Sequence, residues 1–276
     1  MSSSKTSVQP NSNRSAGFWL LAVATIGATA GLCVAAKPYA MAAAQAESRR
    51  LTQIGEQAGG AEAQLSFELA HMLSRHNQPA ALDLAREQVA AGQYVAALDS
   101  LAWAGQGSEA AKLRLIAQLE LGHTTAATVS AAQLSATAPT DDNLLLATLA
   151  DTVTGQAAPA QALADRVSAP EARSRAVAAL ANPLTLGREL AASGLLNTAE
   201  RILTRQPVSA PRELLLGDIL SRRPTPERLA LARRHYEAAI RLNPADPAAR
   251  QALITTLTAL GDTAAANQQM QQLKRL

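Results

Sequence analysis

The chain has 276 residues, 48% of them hydrophobic and only 3% aromatic, with a formal net charge of +3. Three of its 25 Lys and Arg residues (Lys5, Arg14 and Lys37) precede Glu47, the first of its 22 acidic residues, so the remainder is neutral and the basic excess is no nucleic-acid footprint. A single cysteine, Cys33, rules out a disulfide framework.

Residues 1–15 are polar, rich in Ser and Asn, and too poor in apolar side chains to fold alone, so a disordered tail is expected. Ala16 to Ala36 then carries no charge. A helix of that length rises about 31 Å, enough for a hydrocarbon core of about 30 Å. Phe18-Trp19 stand at one border and Lys37-Pro38-Tyr39 at the other, where interfacial residues gather. This predicts one N-terminal transmembrane helix in contact with the lipid bilayer. A cleavable signal sequence is the competing expectation: Ala44-Gln45-Ala46 fits the small-x-small pattern and would leave Glu47 first. Leu32 before Cys33 speaks against a lipoprotein. The flanking positive charges nearly balance. A short tail before a first apolar segment favours a cytoplasmic N-terminus, which places the rest of the chain outside the cytoplasm. Residues 37–77 are expected to form a linker and leading helices.

Downstream the chain reads as successive helical hairpins. Ala81 to Ala104 turns at Gly92, with Ala97 and Leu101 on the second helix. Ser108 to Pro139 repeats the scheme: Gly122 is the turn, Ala127 the small residue, Leu134 a packing residue and Pro139 the stop. Asn143 to Asp165 follows it around Gly155 and Ala160. Asn182 to Leu203 puts Leu186, Gly187 and Leu190 on one helix, Gly194 at the turn, and Ala199 and Leu203 on the return. Leu214-Leu215-Leu216-Gly217 opens the next helix, whose turn, Arg223-Pro224-Thr225-Pro226, is longer. Ala232, Tyr236 and Ala239 share a face of the helix that follows, and Asn243-Pro244 stops it. A helix from Pro247 to Leu260 comes next. Gly261-Asp262 then turns the chain into a last helix near Ala264, with Asp262 as its cap. The small residues let neighbouring helices approach, Tyr236 fills the wider gap, and the glycines supply the positive φ of each turn. The turn glycines Gly92, Gly122, Gly155 and Gly194 are 30, 33 and 39 residues apart. The long last interval implies small insertions or an extra helix around Pro170 to Ala181.

Across Gln78 to Leu273 these positions resemble the tetratricopeptide repeat (TPR), whose period is 34 residues. The resemblance implies an all-α fold: a right-handed α-solenoid of TPR-like helix pairs over residues 78–276, preceded by the transmembrane helix. One pair cannot bury its apolar face alone, so copies stack, and the alanine-rich interior suggests a thin solenoid. The resemblance also implies a binding scaffold rather than an enzyme, with a protein or peptide partner in the groove lined by the first helix of each pair. Carried over residue by residue, Lys112, Arg188, Asp218, Arg222 and Gln251 point into that groove. The Lys, Asn and Arg set with which such proteins hold a terminal carboxylate is poorly matched, since Thr255 and Ala192 stand where polar members are wanted.

No residue set suggests catalysis, a cofactor or a metal. His71 and His76 are five apart and point in different directions, His123 lies in a turn, and His235 is expected in solvent beside Tyr236. Asp141-Asp142 open a helix, where acids complement the dipole. A glycan-cleaving envelope enzyme would need paired carboxylates, and Glu68, Glu87, Glu109 and Glu189 stand in no such motif. From Ala210 onward ten basic residues face six acidic ones. Arg212, Arg222, Arg223, Arg228, Arg233, Arg234 and Arg241 make either solvated helix faces or a field for an acidic partner or anionic lipid. The last helix, Ala264 to Leu273, lacks a charged outer face and offers a route to a homo-oligomer. The expected function is that of a membrane-tethered TPR scaffold in the bacterial cell envelope, serving assembly of a pilus, secretion, polysaccharide-export or similar machinery. A cleaved periplasmic, chaperone-like binding protein is the alternative.

Overall fold

The computed structural model describes residues 41–58, 60–73 and 77–276. The run Ala16 to Ala36 lies outside them, and among the described residues no helix is long and apolar enough to cross a membrane. Fifteen helices and no strand are found among the described residues. They divide into two compact units, one ending at Ala80 and one spanning Ala81–Leu276.

In the first unit α1 (41–57) runs antiparallel to α2 (Gly60–Leu73). Ser48 in the middle of α1 donates its hydroxyl to the Ala70 carbonyl near the end of α2 at 2.6 Å, and the Phe67 ring occupies the space a side chain on Gly55 would take. The buried face of α1 is only Ser48, Thr52 and Gly55, at helical spacing. Asn77 donates to both hydroxyls, at 2.7 Å and 3.2 Å, and accepts the Ala80 amide at 3.3 Å.

Helix α3 (Gln78–Ala90) leads into the second unit. There follow α4 (Tyr94–Leu101), α5 (Ser108–Leu121), α6 (Thr124–Thr137), α7 (Asp141–Val153), α8 (Ala157–Arg166) and α9 (Pro170–Ala181). The chain then continues through α10 (Pro183–Ala192), α11 (Leu196–Thr204), α12 (Ala210–Ser221), α13 (Pro226–Leu242), α14 (Pro247–Ala259) and α15 (Thr263–Leu273). All but α9 pair into hairpins, so of the two expectations for the long glycine interval the extra helix is the one realised. Helix α9 wedges between α7, α8 and α10.

Local chemistry sets these boundaries. Thr140, Asn182, Thr225, Asp246 and Asp262 each cap a helix by accepting a first-turn amide, and Pro170, Pro183, Pro226 and Pro247 open helices where no amide partner is needed. At the other end Gly122 adopts φ 78°, which lets the next amide, that of His123, reach back to the Gln118 carbonyl at 2.8 Å. Gly92, Gly155, Gly194 and Gly261 repeat that closure, so every turn glycine read from the sequence is one.

The interior follows the small-and-large pattern. Ala97, Ala127, Ala160, Ala199, Ala232 and Ala239 are fully buried, as are Leu101, Leu134, Leu190 and Leu203. A buried leucine contributes about 1.5–3 kcal/mol, against about 0.8 for one methyl group. The leucines therefore hold the stack and the alanines set its spacing. A side chain on Gly187 would meet Leu203 at 2.7 Å, and Gly217 is pressed in the same way against the Tyr236 ring. One apolar cluster runs continuously from α5 to α12, with smaller ones at each end of the unit.

At one place the contacts go beyond adjacent hairpins: the second hairpin of this unit touches the fourth. Glu120, at the end of α5 and buried, accepts the amides of Asn197 at 3.1 Å and Thr198 at 3.0 Å, the first turn of α11. Thr198 donates its hydroxyl to the Leu119 carbonyl at 2.8 Å. The Tyr94 hydroxyl donates to Glu120 at 2.7 Å and accepts from Arg223, beyond α12, at 2.7 Å. A carboxylate at the end of one helix thus supplies the missing cap of another. Burial, then the bond to Glu120, pushes the Tyr94 phenol up to about 12.

Candidate functional site

Where α5, α7, α9 and α10 converge, a cleft of about 240 Å³ opens. Lys112 and Ile116 stand one turn apart on α5, Asp142, Leu145 and Leu146 come from the start of α7, Arg175 from α9, and Ala192 and Ser193 from the end of α10. The floor is apolar, since Leu145 and Leu146 are buried, and the rim is charged. Both Nε and Nη2 of Arg175 donate to one oxygen of Glu189, at 2.8 Å and 2.6 Å. That bond raises the Arg175 pKa, and Asp142 adds to the effect. Arg175 is therefore already paired, whereas Lys112, half-buried, has no hydrogen-bond or ion-pair partner among the described residues. The cleft can accept an acidic or hydrogen-bond-accepting group of a few atoms over an apolar base.

Of the five residues carried over to the groove, Lys112 lies in this cleft. Arg222 reaches the same end of α10 by donating to the Ala191 carbonyl, next to Ala192. Asp218, one turn before Arg222 on α12, accepts the Tyr236 hydroxyl at 2.9 Å. Arg188 is exposed on α10. Gln251 is exposed on α14, its carbonyl taken by the Thr255 hydroxyl at 3.1 Å. The structure thus brings Lys112 and Arg222 to one helix end, sets Asp218 beside Arg222, and joins neither Arg188 nor Gln251 to them. Arg175 and Glu189 were not foreseen as a pair, because they lie 14 residues apart on two helices.

Several residues read as surface groups have internal work. Asp141 does more than complement the dipole of α7: its carboxylate accepts the amides of Ser168 at 2.7 Å and Ala169 at 2.9 Å, fixing the entry to α9. These bonds hold its carboxyl below the usual range. His235 is not free in solvent but half-buried, with Nδ1 2.7 Å from the buried Glu213 carboxylate. The arginines behave alike. Arg114, Arg201, Arg212, Arg222, Arg228 and Arg250 each donate to backbone carbonyls at or just beyond the end of a preceding helix, where partial negative charge collects. Arg233 is shared between Glu237 and Asp262. Arg234 and Arg241 remain exposed, so most of the basic C-terminal end is spent inside the fold.

Among the described residues no group of His, Cys, Asp and Glu is placed to hold a metal ion. A larger polar hollow of about 560 Å³ lies in the first unit against α1, lined by residues including Arg49, Glu56 and Asn77, and holds none of the carried-over residues.

The sequence matches no family model and no curated protein. In structure the chain is similar to a tetratricopeptide repeat protein from Parabacteroides merdae, at 14% identity over 79% of this chain and 99% of that one, with a TM-score of 0.44. It is similar to yeast Tom70 at 14% identity over 86% of this chain and 51% of the other, with a TM-score of 0.38. The TPR2AB domain of yeast Sti1, solved with pHSP90, is similar at 17% identity over 84% and 89% of the two chains, with a TM-score of 0.31.

Proposed function

We propose that the chain is a membrane-tethered interaction scaffold of the bacterial cell envelope, with its hairpins outside the cytoplasm. It holds a protein or peptide partner against α5, α7 and α10. The supporting observation is the cleft around Lys112: an unpaired ammonium over an apolar floor, where α5, α7, α9 and α10 meet. An acidic side chain of a partner, set beside one apolar side chain, complements it. Assembly of a pilus, a secretion apparatus or a polysaccharide exporter is the kind of task such a tethered scaffold serves.

The tether rests on the uncharged run Ala16 to Ala36 and its flanking residues. Cleavage after Ala46 would yield a periplasmic, chaperone-like form of the same scaffold.

Photocrosslinking in cells tests the site. A photoreactive residue at position 112 is expected to trap a partner, and one at exposed position 129 is not. Labelling that is equal at both positions, or absent at 112, removes the cleft from the interface. Fractionation after an alkaline wash tests the tether. Retention in the membrane supports it, and release of a soluble chain beginning at Glu47 favours the cleaved form.

A further inference from the structure

We infer that Glu120 is a positioning residue for the cleft around Lys112, an inference that rests on the binding role proposed above. By clasping the first turn of α11, Glu120 holds the far wall of that cleft at a fixed spacing from α5. The two walls come from hairpins that are not adjacent in the stack. Lys112 and Ile116 belong to α5, Ala192 and Ser193 to the end of α10. Along the chain the route from one wall to the other runs through α6, α7, α8 and α9. In a stack held by neighbour contacts, any give in those packings adds up at the cleft. The bonds from Glu120 to the Asn197 and Thr198 amides are a direct link across it.

Cleft and clasp are consecutive stretches of one seam. On α5, Ile116 lines the cleft and Glu120 follows it by four residues, one helical turn. Across the seam, Ser193 lines the cleft and Asn197 follows it by four residues. The turn between them moves as one body. Gly194 takes φ 82°, its amide donates to the Ala191 carbonyl at 3.1 Å, and the Leu195 amide donates to the Leu190 carbonyl at 2.9 Å. Leu195 and Leu196, in the same turn, are buried. Whatever holds Asn197 and Thr198 therefore holds Ala192 and Ser193. Glu120 is held from behind as well. The oxygen that accepts the Asn197 amide also accepts the Tyr94 hydroxyl. Arg223 donates to that hydroxyl, with its guanidinium 5.6 Å from the ring centre. A second strap lies beside it: the Leu119 carbonyl accepts from the Thr198 hydroxyl and from Arg201. A group of a few atoms touches Lys112 and the end of α10 together only if their spacing is kept, and a wall fixed beforehand needs no ordering on binding.

The test uses the full chain with Cys33→Ser, which removes the only cysteine. Spin labels at Val129→Cys on α6 and Arg205→Cys just after α11, both exposed, report the distance across the seam by pulsed electron resonance. Labels at Val129→Cys and Gln161→Cys, also exposed, report the distance between the adjacent second and third hairpins. Glu120→Ala is expected to lengthen and broaden the first distance and to leave the second unchanged. Glu120→Gln, which keeps one acceptor oxygen, is expected to restore most of the first. In cells, the adduct trapped by a photoreactive residue at position 112 is expected to be lost with Glu120→Ala and to return with Glu120→Gln. Should Glu120→Ala fail to fold, Thr198→Val, which removes the hydroxyl bond to Leu119, carries the same expectation. An unchanged first distance in the folded variant overturns the inference, and so does equal broadening of both distances, the mark of general loosening. An adduct undiminished by Glu120→Ala overturns this inference alone. No adduct at 112 in the otherwise unaltered chain overturns the binding role and this inference together.

Discussion

The Glu120 carboxylate accepts the Thr198 amide at 3.0 Å across 78 residues of chain. It also takes the Asn197 amide and the Tyr94 hydroxyl, so its removal orphans three buried or half-buried donors. Glu120→Ala is expected to cost about 2–3 kcal/mol in urea unfolding, and Glu120→Gln, which keeps one acceptor oxygen, less. A loss under about 0.5 kcal/mol for the alanine variant, the range of a plain surface change, would mean that α11 does not depend on this cap.

The reach of that bond marks where sequence reading stops. Gly92, Gly122, Gly155, Gly194 and Gly261 were legible because a positive φ is a local demand that one residue type meets. Asp262 and Pro247 were legible for the same reason, and α9 was half legible from Pro170, whereas Pro226 reads as part of a turn and opens α13 instead. Glu120 was not, because at the end of α5 it looks like any other acid, and nothing nearby says that an amide 78 residues later lacks a partner. Asp141 was read as a dipole acid for the same cause, its partners lying at Ser168 and Ala169. Of the cleft, Lys112 could be placed by repeat position. Arg175 could not, because it stands on the helix that breaks the repeat. Arg222 reads from its repeat position as a groove residue, and nothing local to it announces the Ala191 carbonyl, 31 residues earlier, to which it donates.

Gly187 and Arg188 are neighbours with opposite expectations. A side chain at 187 meets Leu203, itself fully buried and unable to yield. Gly187→Leu is therefore expected to cost about 1–3 kcal/mol. Arg188→Ala, on the exposed side, is expected to stay within about 0.5 kcal/mol. Indistinguishable thermal melting of the two variants would contradict the close packing of α10 on α11.

Asp141 links stability to acidity. Its folded-state pKa is depressed by the Ser168 and Ala169 amides, so its contribution is present above the usual Asp value of about 3.9 and is lost as pH falls through the folded value. Asp141→Asn should melt below the wild type at neutral pH, and the gap should narrow as the solution is acidified past that range. A gap that is constant with pH would show that the carboxylate charge plays no part in fixing the entry to α9.

The tyrosines give an alkaline counterpart. Burial pushes Tyr94 up to about 12 and raises Tyr236 as well. A phenol raised in this way contributes stability that is whole below its unfolded value of about 10 and is lost as pH rises through the folded one. In an ultraviolet titration two of the three tyrosines should stay protonated past pH ~10 while circular dichroism still reports helix. Tyr94→Phe and Tyr236→Phe should each remove one delayed proton. Ionisation of all three together in the folded protein would place both rings in water.

Stacks in which each repeat touches only its neighbours lengthen and shorten by whole repeats over evolutionary time. The contact between the second and fourth hairpins removes that freedom from the middle of this chain. A duplication or loss anywhere between α6 and α10 would carry the start of α11 away from the end of α5. Length differences among its descendants should therefore collect after α13, outside the span that this contact closes, and the number of helices from α5 to α11 should stay fixed.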